Sequence, residues 1–410
     1  MVSFSIKSIL ALLTVFAGLL SSQAQDSNSG TTVIHAGRIL DGRGNAMDAH
    51  DIVIQGNKIV AIVTAGEGKV DHFIDWSDRT VMPGIIDTHV HLGWHFGPDG
   101  RWDIDAKLED HVLYAAENAY SMLKAGVTTV QSLGGPEDKP VQDMMKRGLM
   151  PAPRILTSMG ALFERTGGPD AMRERVRELK AQGADVIKIF GSESIRTGGA
   201  PNLTQEQLDA ACGEAKTQGL RAVVHAHGPE AALRASKAGC NAIEHGALLD
   251  RKTLLILAKN GTYYAPHTHL IFQNYFDNQE RYSGIGNFNE AGFEGLRAAV
   301  PKSLAAFKAA LTVPGLNILY GTDAVAGAHG RNMEELIYRV KVGGQPAMDA
   351  LVSATSLAAK SLEMETQIGT IAPGYFADLI AINGNPDQNI ETLNNVIAVM
   401  VDGTVKWRRN

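Results

Sequence analysis

The sequence is poor in cysteine and has no excess of basic residues. Its 410 residues include only Cys212 and Cys240, which are too few for a disulfide-rich scaffold or a thiolate zinc site. Their spacing alone leaves open whether they pair with each other. Lys and Arg number 38 against 44 Asp and Glu, which gives a net charge of −6. Because nucleic acids are bound by clustered Lys and Arg, this balance predicts no nucleic-acid partner.

The apolar run at the start of the chain is too short to cross a membrane. Residues 9–20 make up a run of 12 residues, whereas a spanning helix needs about 20. Lys7 precedes the run, and residues 22–24 (SQA) follow it as a small-x-small cleavage pattern. Residues 1–24 are therefore predicted to be a secretory signal peptide, with a retained anchor helix as the alternative. We expect a secreted or periplasmic protein without membrane contact after signal removal.

Short β segments lie at both ends of the chain. Hydrophobic residues make up 44% of the sequence and charged residues 20%, which is typical of a globular protein. Residues 51–62 indicate a β-hairpin with a Gly-Asn pair at its tip, and residues 377–407 have the same short-strand character. We predict that residues 31–80 and 365–410 form one small β-sandwich domain.

The middle of the chain predicts an α/β fold of the (β/α)8 TIM-barrel type. Eight apolar strand candidates begin near Val81, Val127, Arg154, Ala184, Leu220, Asn241, Thr262 and Leu316. Most are followed by helical segments, for example residues 107–124, 205–218, 230–238 and 292–311. Strands that alternate with helices pair in parallel, and eight such units fit a closed barrel over residues 81–364. A doubly wound open sheet is the competing architecture. No glycine-rich dinucleotide motif follows an early strand, which argues against it.

The sequence PGIIDTHVH at residues 83–91 is the strongest local indication of chemistry. Alternate side chains of a strand share one face, so Asp87, His89 and His91 are expected to point the same way. Two imidazoles at the carboxyl end of the first barrel strand can hold a metal ion, and barrel active sites lie at that end. Surface or core histidines are the alternative. Asp87 is expected either to orient a histidine or to bond to backbone.

A lysine stands inside a predicted buried strand. Lys188 lies among β-branched residues in the segment 184–190 (ADVIKIF). A buried ammonium is costly unless it is paired or neutralised. The sequence leaves two explanations open. One is an ion pair with a carboxylate, and the other is a neutral amine that takes up carbon dioxide and bridges two metal ions as a carbamate.

Three further candidate ligands lie at the carboxyl ends of later strands of the predicted barrel. His225 ends the fifth strand candidate, His245 ends the sixth, and Asp323 ends the eighth. Together with the two histidines of the first strand and the buried lysine, these residues lie near the carboxyl ends of five strands. Because barrel strands converge at that end, the joint placement predicts a metal site.

These motifs resemble the amidohydrolase superfamily over nearly the whole chain after residue 24. The likeness is carried by residues 82–92, 183–190, 225–228, 243–246, 321–323, 329–332, 354–355 and 374–379. It is greatest to members with a lysine-carbamate bridged binuclear centre. These are the Xaa-Pro dipeptidase-like and imidazolonepropionase-like amidohydrolases, a group that includes ochratoxin-hydrolysing enzymes. The resemblance implies a β-sandwich of both termini beside the barrel.

The resemblance also implies a role for each candidate ligand. His89 and His91 would bind the more buried of two divalent ions, expected to be Zn²⁺, and His225 and His245 the outer one. The buried lysine, as N6-carboxylysine formed with carbon dioxide, would bridge both ions. Asp323 would bind a metal and serve as general base and acid for a metal-bridging hydroxide.

The implied reaction is hydrolysis of a small-molecule amide. Imidazolonepropionases proper use one metal and lack the bridging lysine, so Lys188 favours dipeptides, N-acyl amino acids or ochratoxin-like amides as substrates. Hydrolysis of lactones, carbamates or phosphotriesters on the same site is the alternative, and a binding module without catalysis is a third. Many relatives have a histidine where Pro169 follows a double glycine, so the resemblance does not imply the substrate preference of any one relative. A homo-oligomer is compatible with the sequence.

Five other residues are candidates for substrate contacts. His227 shares a strand face with the histidine two residues before it, Arg196 is a candidate carboxylate clamp, and His329 follows the eighth strand. His267 and His269 end the seventh strand and are expected to line the pocket or hold a third metal ion. Structural or solvent-facing roles are the alternatives for all five.

Overall fold

The computed structural model describes residues 30–66 and 70–409. The predicted signal peptide, residues 1–24, lies outside the described residues. Within the described ranges, no helix combines the length and the apolar composition needed to cross a membrane. The strands and helices of these ranges confirm the predicted α/β class.

In the described ranges, five strands precede the first α-helix and three follow the last one. The strands are β1 (Thr31–Leu40), β2 (Ala46–Gln55), β3 (Lys58–Thr64), β4 (His72–Pro83), β5 (Ile85–Val90), β6 (Val127–Ser132), β7 (Arg154–Thr157), β8 (Ala161–Leu162), β9 (Val186–Phe190), β10 (Arg221–Ala226), β11 (Ala242–His245), β12 (Tyr263–Ala265), β13 (Leu379–Ile382), β14 (Val396–Val401) and β15 (Thr404–Arg408). The α-helices are α1 (Leu108–Lys124), α2 (Asp138–Lys146), α3 (Pro169–Gln182), α4 (Gln205–Thr217), α5 (Pro229–Lys237), α6 (Arg251–Asn260), α7 (Leu270–Asp277), α8 (Gln279–Tyr282), α9 (Glu290–Ala310), α10 (Met333–Lys341), α11 (Ala347–Ser353) and α12 (Ser356–Ser361).

A seven-stranded sheet combines strands from both ends of the chain. Its order is β15–β14–β13–β4–β1–β2–β3, with β1 and β4 parallel and the other pairs antiparallel. The predicted hairpin is present, because Gln55 pairs with Lys58 across a turn at Gly56, whose φ is 60°. Aliphatic side chains of both termini share one core around this sheet: Ile34, Ile52, Ile59, Val81, Ala381 and Met400.

The central strands are parallel and follow chain order. One sheet has the order β5–β6–β7 and a second has the order β12–β11–β10–β9–β8. A hydrogen bond of 2.8 Å from Asp185 N to Thr157 O links the end of β7 to the start of β9. On the other side, two isolated parallel bridges place residues 318–324 between β12 and β5: Tyr264 with Ile318, and Val90 with Ala324.

The eighth strand, predicted to begin near Leu316, is not a regular strand. Asp323 has a φ of 53°, and a left-handed residue interrupts an extended ladder. Its amide instead donates a 2.8 Å hydrogen bond to the carbonyl oxygen of His89. A two-residue strand that the sequence did not predict, β8, pairs with β9.

A single glycine joins the seven-stranded sheet to the first central strand. β4 ends at Pro83 and β5 begins at Ile85. A Cβ atom at Gly84 would lie 2.0 Å from the side chain of Thr128, so only glycine allows this close approach. The histidines at the end of β5 are thereby held at a fixed position relative to the sheet.

Helices predicted at residues 107–124, 205–218, 230–238 and 292–311 are confirmed, with ends that differ by at most two residues. Helix α4 shows the two sequence features that predict such a helix, a capping box and a regular spacing of apolar residues. Thr204 accepts a hydrogen bond from Gln207 N and its own amide donates to Gln207 Oε1, which is a capping box. The helix buries residues spaced three and four apart: Leu208, Ala211 and Ala215.

The two cysteines form a disulfide. Cys212 in α4 and Cys240 after α5 are joined, with their Cα atoms 5.3 Å apart. The bond settles the pairing that their spacing left open, and it ties together two neighbouring outer helices.

Arg154 in β7 connects the central strands to the seven-stranded sheet. Its Nη2 lies 3.2 Å from Asp378 and 2.7 Å from Asp402, and burial raises the pKa of Asp378, with the charge of Arg154 opposing the rise. We expect Arg154→Met to lower the free energy of unfolding by about 3–5 kcal/mol, because it leaves a buried carboxylate without its partner. Urea unfolding followed by circular dichroism would measure this.

The matched control is Arg173→Met. Arg173 forms a largely exposed pair with Asp170 in α3, so its loss should leave the urea midpoint close to that of the unsubstituted protein. Equal midpoints for both variants would contradict the structural role of Arg154.

Candidate active site

A pocket opens at the carboxyl ends of the parallel strands. Its volume is about 180 Å³. Its polar lining includes all six predicted metal ligands and three of the predicted substrate contacts: His89, His91, Lys188, His225, His245 and Asp323, with Arg196, His227 and His267. Its apolar lining is Trp94, Phe190, Ile195, Ala247, Ile271, Phe272, Tyr275 and Leu296. The fold therefore brings together side chains from segments that are far apart in the sequence.

His89 lies at the centre of the polar cluster and is fully buried. Its Nδ1 lies 2.9 Å from Glu244 Oε2. Its Nε2 lies 3.3 Å from His91 Nε2, 3.3 Å from Asp323 Oδ1 and 3.2 Å from Lys188 Nζ. When the Glu244 carboxylate accepts the proton of Nδ1, the Nε2 atom presents a lone pair. Several donor atoms therefore converge on one point.

Lys188 lies in β9 and is 1% exposed. In residues 30–66 and 70–409, no carboxylate oxygen lies within 4.0 Å of its Nζ atom. Burial lowers the pKa of its amine to about 8, with the charges of Glu244 and Asp323 opposing the change. The structure thus gives no support to the ion pair that the sequence left open.

A second group of imidazoles lies beside the first. His245 Nδ1 is 2.9 Å from His267 Nδ1, and the ring centroids of His225 and His245 are 4.5 Å apart. His267 Nε2 lies 3.5 Å from Glu244 Oε2. One carboxylate oxygen thus contacts a histidine of each group, which fixes the two groups relative to each other.

Asp87 holds two strand ends together and contacts no imidazole ring. The amide and hydroxyl of Thr322 donate to it at 3.1 and 2.6 Å, and Asn332 Nδ2 donates at 2.8 Å. The amide of His89 also donates to it, at 3.2 Å. Of the two roles expected for Asp87, the structure shows the backbone contact. These bonds fix the turn that places Asp323.

Two candidate ligands have left-handed backbones. His245 has a φ of 70° and Asp323 a φ of 53°. Such conformations are costly for residues other than glycine and cluster at functional sites. In both residues the turn comes directly at the end of the parallel segment, and both side chains line the pocket.

Burial favours the neutral form of five imidazoles of the pocket, because it lowers the pKa of each. It lowers the pKa of His89, His225 and His245 well below its usual value, and nearby positive charges lower it further. It also lowers the pKa of His227 to about 3 and that of His267 to about 4. Neutral imidazole is the form that binds a metal ion.

The acidic groups of the pocket respond differently to burial. Burial raises the pKa of Glu244 to about 8, with the charge of Lys188 opposing the rise. For Asp323 burial also favours the neutral form, but the hydrogen bond from His91 and nearby positive charges outweigh it and lower the pKa. Asp323 is therefore an anion at neutral pH, and a bound cation would favour the anion of Glu244 as well.

Two groups of side chains have the spacing of metal ligands. The ligand atoms of His89, His91 and Asp323 lie within 4.8 Å of one another, and so do those of His89, His245 and His267. Neutral imidazoles with a carboxylate suit zinc and related divalent ions. His225, the predicted partner of His245, lines the same pocket but belongs to neither group. The residues present therefore fit a divalent metal ion.

Comparison with known proteins assigns the family. The model of the amidohydrolase family matches residues 80–406. The chain belongs to the amidohydrolase family. The match includes all six predicted ligands and extends through the C-terminal strands of the seven-stranded sheet. Metal binding by the His and Asp cluster is consistent with this family of hydrolases.

This amidohydrolase is similar to an ochratoxinase, a Xaa-Pro dipeptidase and a prolidase. The ochratoxinase of Aspergillus niger is 26% identical over 425 aligned positions, which cover 92% of this chain and 86% of the relative. The solved structure of a Xaa-Pro dipeptidase with bound methionine is 34% identical, with a TM-score of 0.84 over 92% of this chain and all of that one. A prolidase complexed with N-methylphosphonate-L-proline is 25% identical, with a TM-score of 0.82 over 92% and 100%.

Two predicted substrate contacts lie outside the pocket of the amidohydrolase. The His269 ring stacks on Tyr338, with centroids 4.2 Å apart, and its amide donates to Glu335. His329 Nε2 lies 3.0 Å from the carbonyl oxygen of His91. His269 packs at the start of α7, and His329 contacts the backbone of His91, a predicted metal ligand.

Sequence reasoning missed Glu244, Trp94 and Tyr275. Glu244 stands directly before His245 in a buried strand. A buried carboxylate needs a hydrogen-bonding or charged partner, and this requirement could have indicated its role. Trp94 follows the first histidine pair by three residues, and its ring stacks on that of His91 with centroids 4.8 Å apart. Tyr275 lies in α7, and no motif marked it.

Proposed function

We propose that this amidohydrolase is a metal-dependent hydrolase of amide bonds in dipeptides or N-acyl amino acids. One observation carries the proposal. The amine of Lys188 is buried 3.2 Å from His89 Nε2, among neutral imidazoles and without a carboxylate partner in the part of the chain that the structure describes. A carbamate on this nitrogen would give two oxygens to two cations, which accounts for a lysine at this place.

The proposed metal centre is binuclear and binds zinc. His89 and His91 would hold one ion and His225 and His245 the other, with Asp323 beside the first and carboxylated Lys188 between the two ions. When bound, the ions would supply an activated water molecule near neutral pH and polarise the amide carbonyl. We also infer that the two parallel sheets and residues 318–324 close into one (β/α)8 barrel, with the terminal strands forming a β-sandwich beside it.

The protein groups would handle the proton and orient the substrate. Asp323 Oδ1 lies 3.2 Å from His91 Nε2, where it would accept the proton of the attacking water and pass it to the leaving amine nitrogen. His227 is buried in the pocket, and its Nδ1 has no partner among the described residues. Its ring would donate a hydrogen bond to the carbonyl oxygen of the substrate. The apolar walls would keep other water molecules away.

The relatives support the choice of bond. A Xaa-Pro dipeptidase and an ochratoxinase are similar over more than nine-tenths of the chain. Removal of residues 1–24 on export is part of the proposal. The disulfide between Cys212 and Cys240 supports a secreted or periplasmic location, because disulfides persist in oxidising compartments.

A substrate panel on the mature protein tests the function. The protein would be stripped of metal with a chelator, reloaded with zinc and offered dipeptides, N-acyl amino acids, lactones, carbamates and phosphotriesters. We expect about two zinc ions per chain, amide hydrolysis by the loaded protein, and loss of at least about 10³-fold in turnover after metal removal. Turnover of only lactones, carbamates or phosphotriesters would support the alternative hydrolase instead.

A further inference from the structure

Arg196 occupies a fixed position at the wall of the pocket. It lies in the short turn Ile195–Thr197 after β9, where its amide donates to Ser194 Oγ at 3.2 Å. A Cβ atom at Gly295 of α9 would lie 2.7 Å from the carbonyl oxygen of Arg196. The missing side chain of Gly295 therefore lets α9 pack directly against this turn. The backbone of Arg196 is held from two sides.

The guanidinium of Arg196 is held as well, but only on part of its surface. Its Nε donates to Asn287 Oδ1 at 2.5 Å. Its central carbon lies 3.9 Å from the ring centroid of Phe288 and 5.6 Å from that of Tyr275. These contacts use the Nε atom and the planar face of the group. The Tyr275 hydroxyl also lies within hydrogen-bonding reach of the group, which leaves the rest of its terminal N–H groups to a ligand.

The positive charge of Arg196 has no counterion in the protein. Among residues 30–66 and 70–409, no carboxylate oxygen lies within 4.0 Å of its guanidinium nitrogens. The pocket carboxylate, Asp323, is instead in contact with His89 and His91. A fixed guanidinium without a paired carboxylate among the described residues can match a planar carboxylate of a ligand by two parallel hydrogen bonds.

The residues around Arg196 indicate which kind of side chain the substrate residue with this carboxylate would have. Ile271, Phe272 and Leu296 line the same pocket, and their aliphatic and aromatic surfaces favour an apolar side chain. The pocket volume of about 180 Å³ leaves room for one amino-acid residue beside the imidazoles. A free carboxylate next to an apolar side chain is the chemistry of a C-terminal leucine-like residue.

We propose that Arg196 binds the free carboxylate of the substrate and so restricts the enzyme to amides whose leaving group is an apolar amino acid. The proposal rests on the proposed amide hydrolysis. The substrate would lie with its carboxylate on Arg196 and its scissile amide at the imidazole cluster. Arg196 is thus a specificity-determining residue, and substrates with a blocked carboxyl group are turned over less efficiently.

Turnover of a matched substrate pair tests the carboxylate subsite. The zinc-loaded protein would be offered N-acetyl-L-leucine and N-acetyl-L-leucinamide, which differ only at the carboxyl group. We expect kcat/KM to be about 10- to 100-fold higher for the acid, and Arg196→Met to lower the value for the acid by the same factor. The value for the amide should change by less than about threefold, since it makes no ion pair. Arg196→Lys should recover part of the loss, because it keeps the charge and loses the planar fork.

A control variant and a binding measurement complete the test. Arg173→Met removes an exposed arginine that pairs with Asp170, and it should leave both kcat/KM values unchanged. Equal values for acid and amide in the unsubstituted protein would overturn the subsite while amide hydrolysis stands. If neither compound is hydrolysed, calorimetric titration with L-leucine and L-leucinamide decides. Binding of L-leucine that is lost in Arg196→Met supports the subsite without the proposed function, and binding that is absent or independent of Arg196 overturns it.

Discussion

Replacing Lys188 by alanine is expected to reduce turnover by at least about 10³-fold. The amine lies 3.2 Å from His89 Nε2, and its carbamate is the group that we propose to bridge the two ions. Loss of the bridge should release metal and remove the activated water that it supports. Steady-state kinetics and metal analysis by mass spectrometry would measure both effects. Propionate added to Lys188→Ala should restore part of the turnover, because its carboxylate fits the space left by the side chain.

Two further variants separate chemistry from folding. Lys188→Met keeps an unbranched apolar stem in the buried strand and lacks the amine, so it should fold and remain inactive. Lys139→Ala removes a half-exposed lysine that pairs with Asp143 and should keep full activity. Full turnover of Lys188→Ala would contradict the proposed centre. Exposure to ¹³C-labelled carbon dioxide should give a carbamate resonance in the unsubstituted protein and none in Lys188→Met.

Asp323→Asn should lower kcat by about 10²- to 10⁴-fold and change KM much less. An amide cannot accept the proton of the attacking water, and general-base catalysis contributes a factor of this size. Asparagine tolerates a positive φ better than most residues, so the backbone at 53° should persist. The lowered pKa of Asp323 keeps its carboxylate ionised at neutral pH. Activity should therefore fall only in acid, as the pH drops through this lowered pKa and the carboxylate takes up a proton.

Asp170→Asn is the matched control for this variant. Asp170 is exposed at the start of α3, and its change should leave kcat as it was. Melting temperature and zinc content would establish that Asp323→Asn is folded and still binds metal. Undiminished kcat in a folded, zinc-loaded Asp323→Asn would exclude the carboxylate as the proton acceptor.

The sequence predicted those parts of the candidate site in which a local pattern determines where a side chain points. The period of a strand placed Asp87, His89 and His91 on one face, and all three are buried at the carboxyl end of β5. A lysine among aliphatic residues predicted a buried amine, and Lys188 is one. These inferences needed only the geometry of a strand and the cost of burying charge.

The rest depends on contacts between distant segments. The pairing of His89 with Glu244 joins residues that are 155 positions apart, and no periodicity reports such a contact. The irregular eighth strand was missed because Asp323 adopts a left-handed backbone without glycine to mark it. His269 and His329 were expected at the pocket because they follow strand ends. The turns after those strands direct them to Tyr338 and to the backbone of His91 instead.

The seven-stranded sheet has a consequence for the order of folding. β13 pairs with β4 so that Leu379 lies opposite Pro83 and Ile382 opposite Thr80, which are about 300 residues apart in the chain. While the polypeptide is being made, residues 80–83 of β4 emerge long before residues 379–382 are available to pair with them. An unpaired edge of this kind invites association with other chains. Newly made protein is therefore expected to need protection from aggregation until β13 has joined the sheet.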